Sequence, residues 1–167
     1  MSQAVLALGA NLGDPAAGLQ TAVNALAGAG EVVAVSSVYQ TAPVGGPPQP
    51  DYLNAVLLLD TTLPPQELLA FAHAVESGAG RERRERWGPR TLDVDVIVYD
   101  DLVSSDPSLT LPHPRAHERG FVLVPWAEIA PEAALPGHGR IAKLLETVDT
   151  SDVRRIDDVA LALPGVR

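Results

Sequence analysis

An α+β fold, an antiparallel sheet carrying helices, is predicted by three features of the chain. Strand-like segments rich in β-branched and aliphatic residues alternate with segments whose apolar residues recur at helical spacing. Two of the strand-like segments follow one another with no helix between them. The 167 residues, 46% of them apolar, suit one domain with a hydrophobic core spanning 1–167.

The first strand is "AVLALG", 4–9. Asp14 and Pro15 then offer an N-cap and a first-turn residue, and Ala16, Leu19, Ala22, Val23 and Leu26 line one helix face until Gly28 and Gly30 end it. "EVVAVSSVYQT" (31–41) and "YLNAVLLLDTT" (52–62) read as strands. Between them "APVGGPPQPD" holds too many prolines and glycines for regular structure and is a stiff loop. Pro64, Pro65 and Glu67 open a second helix with Leu68, Leu69, Phe71, Ala72 and Val75 on one face. A Gly- and Arg-rich loop precedes a strand at 92–99. This β-α-β-β-α-β order is the ferredoxin-like arrangement, helices on one face of an antiparallel sheet. Beyond it the chain reads as a Pro-rich loop at 107–115, helices near 117–129 and 141–148, and a short extra strand near 159–163.

Composition excludes several functions. There is no cysteine, which removes disulfides and thiolate metal sites. No apolar run approaches the roughly 20 residues of a membrane helix, and no signal-type segment opens the chain, so a cytoplasmic protein is expected. The net charge of −9 argues against general nucleic-acid binding. Yet five of the twelve Lys and Arg residues, Arg81, Arg83, Arg84, Arg86 and Arg90, fall within ten positions. A local cationic site in an acidic protein suits a small polyanion. Nothing in the pattern demands a dimer, and a monomer is expected.

The stretch "RWGPRTLDVDVIVYDD" places Asp93 and Asp95 at alternate positions of an otherwise apolar strand, where aspartate is disfavoured. Alternation puts both carboxylates on one face and Val94, Val96 and Val98 on the other. Two carboxylates that close repel unless a cation or proton lies between them. Oxygen ligands without histidine favour magnesium, which takes further ligands from water and phosphate. An exposed strand edge explains the pair equally well on pattern alone. The neighbouring arginines favour phosphate chemistry, since guanidinium groups match phosphate oxygens bidentately. Gly78, Gly80, Gly88 and Pro89 bracket them in a loop able to close over a substrate. A solvated charge run, with Glu82 and Glu85 pairing the arginines, is the competing account. No G-x-x-x-x-G-K-[ST] loop is present, so side chains must hold any nucleotide. His113 and His117 lie four apart, but Pro112 and Pro114 flank the first and argue against a helical zinc pair. A metal-dependent phosphoesterase and a non-catalytic small-molecule sensor stay open on these residues.

Nearly the whole chain resembles one family, the 6-hydroxymethyl-7,8-dihydropterin pyrophosphokinases of folate biosynthesis. The segments that carry the likeness are "ALGANLGD", "SSVYQTAPVG", "QPDYLNAV", "GRERRERWGPRTLDVDVIVYDD" and "LTLPHPRAHERGFVLVPWAEIAP". The resemblance implies transfer of the pyrophosphoryl group of ATP to the pterin hydroxymethyl oxygen, with release of AMP and with two Mg2+ ions. It implies Asp93 and Asp95 as metal ligands and Arg81 and Arg90 as phosphate-neutralising residues. ATP contacts are implied for Glu76, Arg83, Arg84, Arg86, Val96, Thr110, His113 and Arg119. The pterin is implied to lie between Tyr52 and Phe121, with Asn54, Thr41, Pro43, Val44 and Gly45 reading its edge and Trp87 covering it. Without the resemblance, Tyr52 and Phe121 read more simply as core residues. His73 and Pro114 depart from the family pattern and bear on adenine binding.

Overall fold

The structure, a computed structural model, describes residues 1–11, 13–42, 51–81 and 92–164. Five strands form the centre: β1 (Ser2–Ala10), β2 (Glu31–Val35), β3 (Val38–Thr41), β4 (Tyr52–Thr61) and β5 (Asp93–Tyr99). Between them lie α1 (Pro15–Leu26) and α2 (Pro65–Arg81). Asp14 caps α1 by accepting the Ala17 N–H at 3.1 Å. After α1 the chain passes so close to β4 that any Cβ at Gly30 would overlap the Asp60 carbonyl oxygen. The sheet runs β3-β4-β1-β5 with β2 also on β4, and every described pairing is antiparallel. That is the ferredoxin-like order.

The segment expected as one strand over 31–41 is two. Ser36 interrupts it: its N–H donates to the Val56 carbonyl at 2.9 Å while its hydroxyl accepts the Val56 N–H at 2.9 Å. Ser37 turns outward to the Glu128 carboxylate, which accepts from its N–H at 3.0 Å and its hydroxyl at 2.9 Å. The same carboxylate accepts the Tyr39 hydroxyl at 2.8 Å.

The region after β5 is more structured than the sequence predicts. A hairpin of β6 (Ser104–Asp106) and β7 (Leu109–Leu111) occupies much of the expected loop. The helix expected near 117–129 breaks at Arg119, whose φ of −107° and ψ of 106° are extended, into a 3-10 turn, Ala116–Glu118, and α3 (Gly120–Ile129). A second hairpin, β8 (Ala134–Leu135) with β9 (Gly139–Arg140), leads into α4 (Ile141–Leu144). The short final strand is not at 159–163. It is β10 (Arg154–Ile156), which takes the free edge of β3 in the register Arg154↔Gln40 to Ile156↔Val38. Val159 and Leu161 instead pack against the core, and Ala162 exchanges two hydrogen bonds with the Gln20 side chain of α1 at 2.8 and 3.0 Å.

Both faces of the sheet are covered. Leu6, Leu8, Leu57, Leu59, Val94 and Val96 meet α1 and α2 through Leu19, Val23, Leu26 and Leu68. Val5, Ala7, Val56, Leu58, Ile97 and Val98 meet Val122, Leu123, Trp126 and Ile141 of the C-terminal region. Val98 thus faces away from Val94 and Val96, contrary to strict alternation. The β1–β5 register slips between Val5 and Leu6, leaving Ile97 as the extra residue. A bulge of this kind reverses the facing of everything beyond it.

Candidate active site

The site lies on the C-terminal face, where three strands lose their bulk together. Going toward one end of the sheet, β1 passes from Val5 to Ala7 to Gly9. Over the same rows β4 passes from Leu58 to Val56 to Asn54, and β5 from Val98 to Asp95 to Asp93. Gly9 pairs with Asn54 on one side and Asp93 on the other, and Ala7 with Val56 and Asp95. Directly paired residues share a face, so Asn54 and the two aspartates project together over a floor of Ala7 and Gly9. A Cβ at Gly9 would come 3.3 Å from Asn54 Oδ1 and 3.9 Å from the Tyr52 ring. The missing side chain is the open space.

Two cavities meet there. The first, about 530 Å³, is lined by Thr41, Tyr52, Asn54, Asp93, Asp95, Arg119 and Phe121, among others. Asn54 is buried and donates from Nδ2 to Thr41 Oγ1 at 2.9 Å, which leaves its Oδ1 above Gly9. An amide fork between two half-buried aromatic rings suits a flat heterocycle. The second cavity, about 830 Å³, is lined by His73, Glu76, Ser77, Leu92, Asp93, Asp95, His113 and Arg119. Asp93, Asp95 and Arg119 belong to both. Arg119 reaches both because the chain is extended there, and its guanidinium carbon lies 5.6 Å from the Phe121 ring centre.

Burial pushes the His113 imidazole below its ordinary pKa range; Asp95 opposes this, and Arg119 and Arg115 reinforce it. Its Nδ1 accepts the Arg115 N–H at 3.2 Å, so the neutral ring carries its proton on Nε2. The backbone N–H of His113 donates to the Ile97 carbonyl at 2.8 Å, covering the edge of β5 beside the bulge.

The expected residues are placed unevenly. Thr41, Tyr52, Asn54 and Phe121 line the first cavity, Glu76 and His113 the second, and Asp93, Asp95 and Arg119 both. His73 also lines the second. Val96 is buried in the core, and Thr110 is exposed on β7, donating to the Asp106 carbonyl at 3.1 Å; neither is among the lining residues. Pro43, Val44, Gly45, Arg83, Arg84, Arg86, Trp87 and Arg90 lie outside the described residues, as does the side chain of Arg81, which ends α2. Sequence reasoning did not assign Ala7, Gly9, Arg115, Glu118, Asp149 or Asp152, all of which line the first cavity. The fall from Val5 to Gly9 was a readable signal. For Asp149 and Asp152 there was none, since only the packing of their turn against Gly120 brings them to the cavity.

A ferredoxin-like sheet whose paired carboxylates line two adjoining cavities suits a protein that brings two small molecules, one of them anionic, to a shared carboxylate pair. Comparison with known proteins specifies which. Residues 5–131 match the family described as 7,8-dihydro-6-hydroxymethylpterin-pyrophosphokinase (HPPK). The chain is 43% identical over 159 residues to a 2-amino-4-hydroxy-6-hydroxymethyldihydropteridine pyrophosphokinase of Methylorubrum extorquens, covering 94% of this chain and 100% of the relative. It is 46% identical over 153 residues to the Synechocystis enzyme of that name, covering 90% and 78%. Among solved structures, a Plasmodium falciparum HPPK-DHPS triple mutant with pteroate superposes with a TM-score of 0.74 at 14% identity, over 93% of this chain and 46% of that one. The chain spans about half the length of such structures, and at that identity they show the fold alone. This chain belongs to the pyrophosphokinase family.

Proposed function

We propose a division of labour for the family's reaction, in which the pyrophosphoryl group of ATP passes to the hydroxymethyl oxygen of 6-hydroxymethyl-7,8-dihydropterin, releasing AMP, in folate biosynthesis. The observation that carries it is the carboxylate pair shared by two cavities. The first cavity takes the pterin. Tyr52 and Phe121 hold its faces, Asn54 and Thr41 its hydrogen-bonding edge, and the space above Gly9 admits the ring. The second takes ATP, with Glu76 and neutral His113 on its walls and Arg119 where the phosphates reach the acceptor. Arg81 ends α2, Arg83, Arg84, Arg86 and Arg90 follow it in sequence, and together they supply further cationic groups; Arg81 and Arg90 neutralise phosphate. The family motifs assign Pro43, Val44, Gly45 and Trp87 to the pterin, and the Val96 backbone and Thr110, which lie beyond the lining of the second cavity, to the nucleotide.

Asp93 and Asp95 suit magnesium. Among the described residues no third His, Cys, Asp or Glu joins them in a ligand cluster, so a cation held here completes its shell with water and substrate oxygen, the habit of Mg2+. When bound, two Mg2+ ions supply Lewis-acid neutralisation of the transferred group. Positioning then falls to the protein: the walls of the two cavities hold acceptor and donor on either side of the shared Asp93, Asp95 and Arg119. The reading includes a monomeric, cytoplasmic enzyme in which the two cores, built on one sheet, make a single domain over 1–167.

The test is the nucleotide product. Protein, magnesium, ATP and hydroxymethyl-dihydropterin should yield AMP in step with pterin diphosphate, separated by chromatography. ADP as the main product would remove the pyrophosphokinase reading, and phosphate release without the pterin would favour a phosphoesterase.

A further inference from the structure

We infer that Glu76 is a positioning residue: its carboxylate clamps the segment of β5 that carries Asp93 and Asp95 against α2, and so sets the geometry of the pair. The key contact is short. The backbone N–H of Val94, the residue between the two aspartates, donates to Glu76 Oε2 at 2.6 Å. β5 is the outermost strand, paired with β1 alone among the described strands, and Asp93 is its first residue. The first turn of an edge strand is where a sheet frays most easily, and here the fraying residues are the carboxylates themselves. A charge-assisted bond from the helix side holds the backbone N–H midway between the two aspartates.

The clamp also joins the walls of the second cavity. Glu76 stands one helical turn beyond His73 on α2 and one turn before Gly80 and Arg81. With His73, Glu76 and Ser77 on one wall and Asp93 and Asp95 on the other, this bond ties the wall before the arginine-rich segment to the strand bearing the carboxylate pair. Beside the apolar packing of Val94 and Val96 on Leu68 and Ala72, this bond gives α2 a polar hold on the backbone between the two carboxylates.

The inference rests on the assignment of Asp93 and Asp95 above, and its test separates the two. Amide hydrogen exchange of the full chain is measured for the wild type, Glu76→Ala, Glu76→Gln and Glu76→Asp, alongside thermal melts. The Val94 amide should exchange about tenfold faster in Glu76→Ala, the factor set by losing one such bond, with β1 and β4 amides unchanged. Glu76→Gln keeps an acceptor at the same reach and should stay within about threefold of wild type. Glu76→Asp keeps the charge but is one methylene short, so it should resemble Ala and serves if Glu76→Ala does not fold. In turnover assays, Glu76→Ala should raise the magnesium concentration for half-maximal rate by about fivefold or more and leave KM for the pterin within about twofold. Glu76→Gln should recover most of that magnesium dependence, whatever its KM for ATP.

Unchanged Val94 exchange in Glu76→Ala overturns the clamp. So does a Gln variant with wild-type Val94 exchange but a magnesium requirement raised as far as in Ala, which would make charge and not the clamp the cause, or a rise in KM for ATP alone, which would make Glu76 only a nucleotide contact. If wild-type turnover needs no divalent cation, the magnesium assignment fails by itself, and Val94 exchange still decides the clamp.

Discussion

The two faces of the central sheet are made from the same strands and do opposite things. Toward α1 and α2, β1 presents Ala4, Leu6, Leu8 and Ala10, and the layer closes as an apolar core. Toward α3, the same strand presents Val5, Ala7 and Gly9, and packing stops short of the end. The difference teaches where stability and function are stored. Bulk on one face anchors the strands, so that loss of bulk on the other can leave a cavity without unfolding the chain.

The contrast is broken most severely at the carboxylates. Asp93→Ala and Asp95→Ala should each lower AMP production by about a thousandfold, the consequence of losing several kcal/mol of charge stabilisation in transfer. Thermal melts should show the fold kept, because both side chains are only partly buried and lie outside the apolar core. Near-native turnover in either variant would misplace the active centre.

A matched pair in β1 sharpens the comparison. Leu8→Ala, on the packed face, should cost about 2–5 kcal/mol of stability by opening a cavity. Leu8 borders the first cavity while its side chain packs in the core, so the variant's KM values should stay within about twofold at temperatures where it is folded. Gly9→Val, one residue on, should do the reverse. Its side chain would enter the space beside Asn54 Oδ1, raising KM for the pterin by about tenfold or more with a small change in melting temperature. Calorimetry and pterin titration of the two variants test the pair, and similar profiles would erase the distinction between the faces.

Smaller effects belong to the clasp between α3 and the β2–β3 junction. Glu128 accepts from the Ser37 N–H and hydroxyl and from Tyr39. Glu128→Ala should therefore cost about 1–2 kcal/mol in denaturant unfolding, scaled down because the carboxylate is exposed. Burial, with the Glu128 carboxylate adding to it and Arg155 opposing, raises the Tyr39 pKa from 10.0 to about 12. The folded chain thus holds this proton more tightly than the unfolded chain does. That contribution is complete below pH 10 and is lost as pH rises from 10 toward 12. Tyr39→Phe should flatten this part of the stability profile, and an unchanged slope would remove Tyr39 as its source.

Much of this molecule was legible as sequence because local physics repeats along it. The 3.6-residue spacing in 16–26 and 68–75, the Asp14–Pro15 start and the period-two run in β1 and β5 each depend on neighbours within a few positions. Asp93 and Asp95 could be assigned to one face for the same reason. The family motifs pointed to residues proposed for the pterin and the nucleotide, of which Thr41, Tyr52, Asn54, Glu76, His113, Arg119 and Phe121 line the two cavities. Tertiary structure decided the rest. Val98 changed faces because a bulge at Ile97 is a property of two strands in register, which neither strand alone encodes. The last strand formed at Arg154–Ile156, not at the more apolar 159–163, because the open edge of β3 supplies hydrogen-bonding partners there, while Val159 and Leu161 gain more by burial. The bond from Val94 to Glu76 and the turn carrying Asp149 and Asp152 to the first cavity join residues distant in sequence. Such contacts depend on how layers stack, which sequence spacing does not encode.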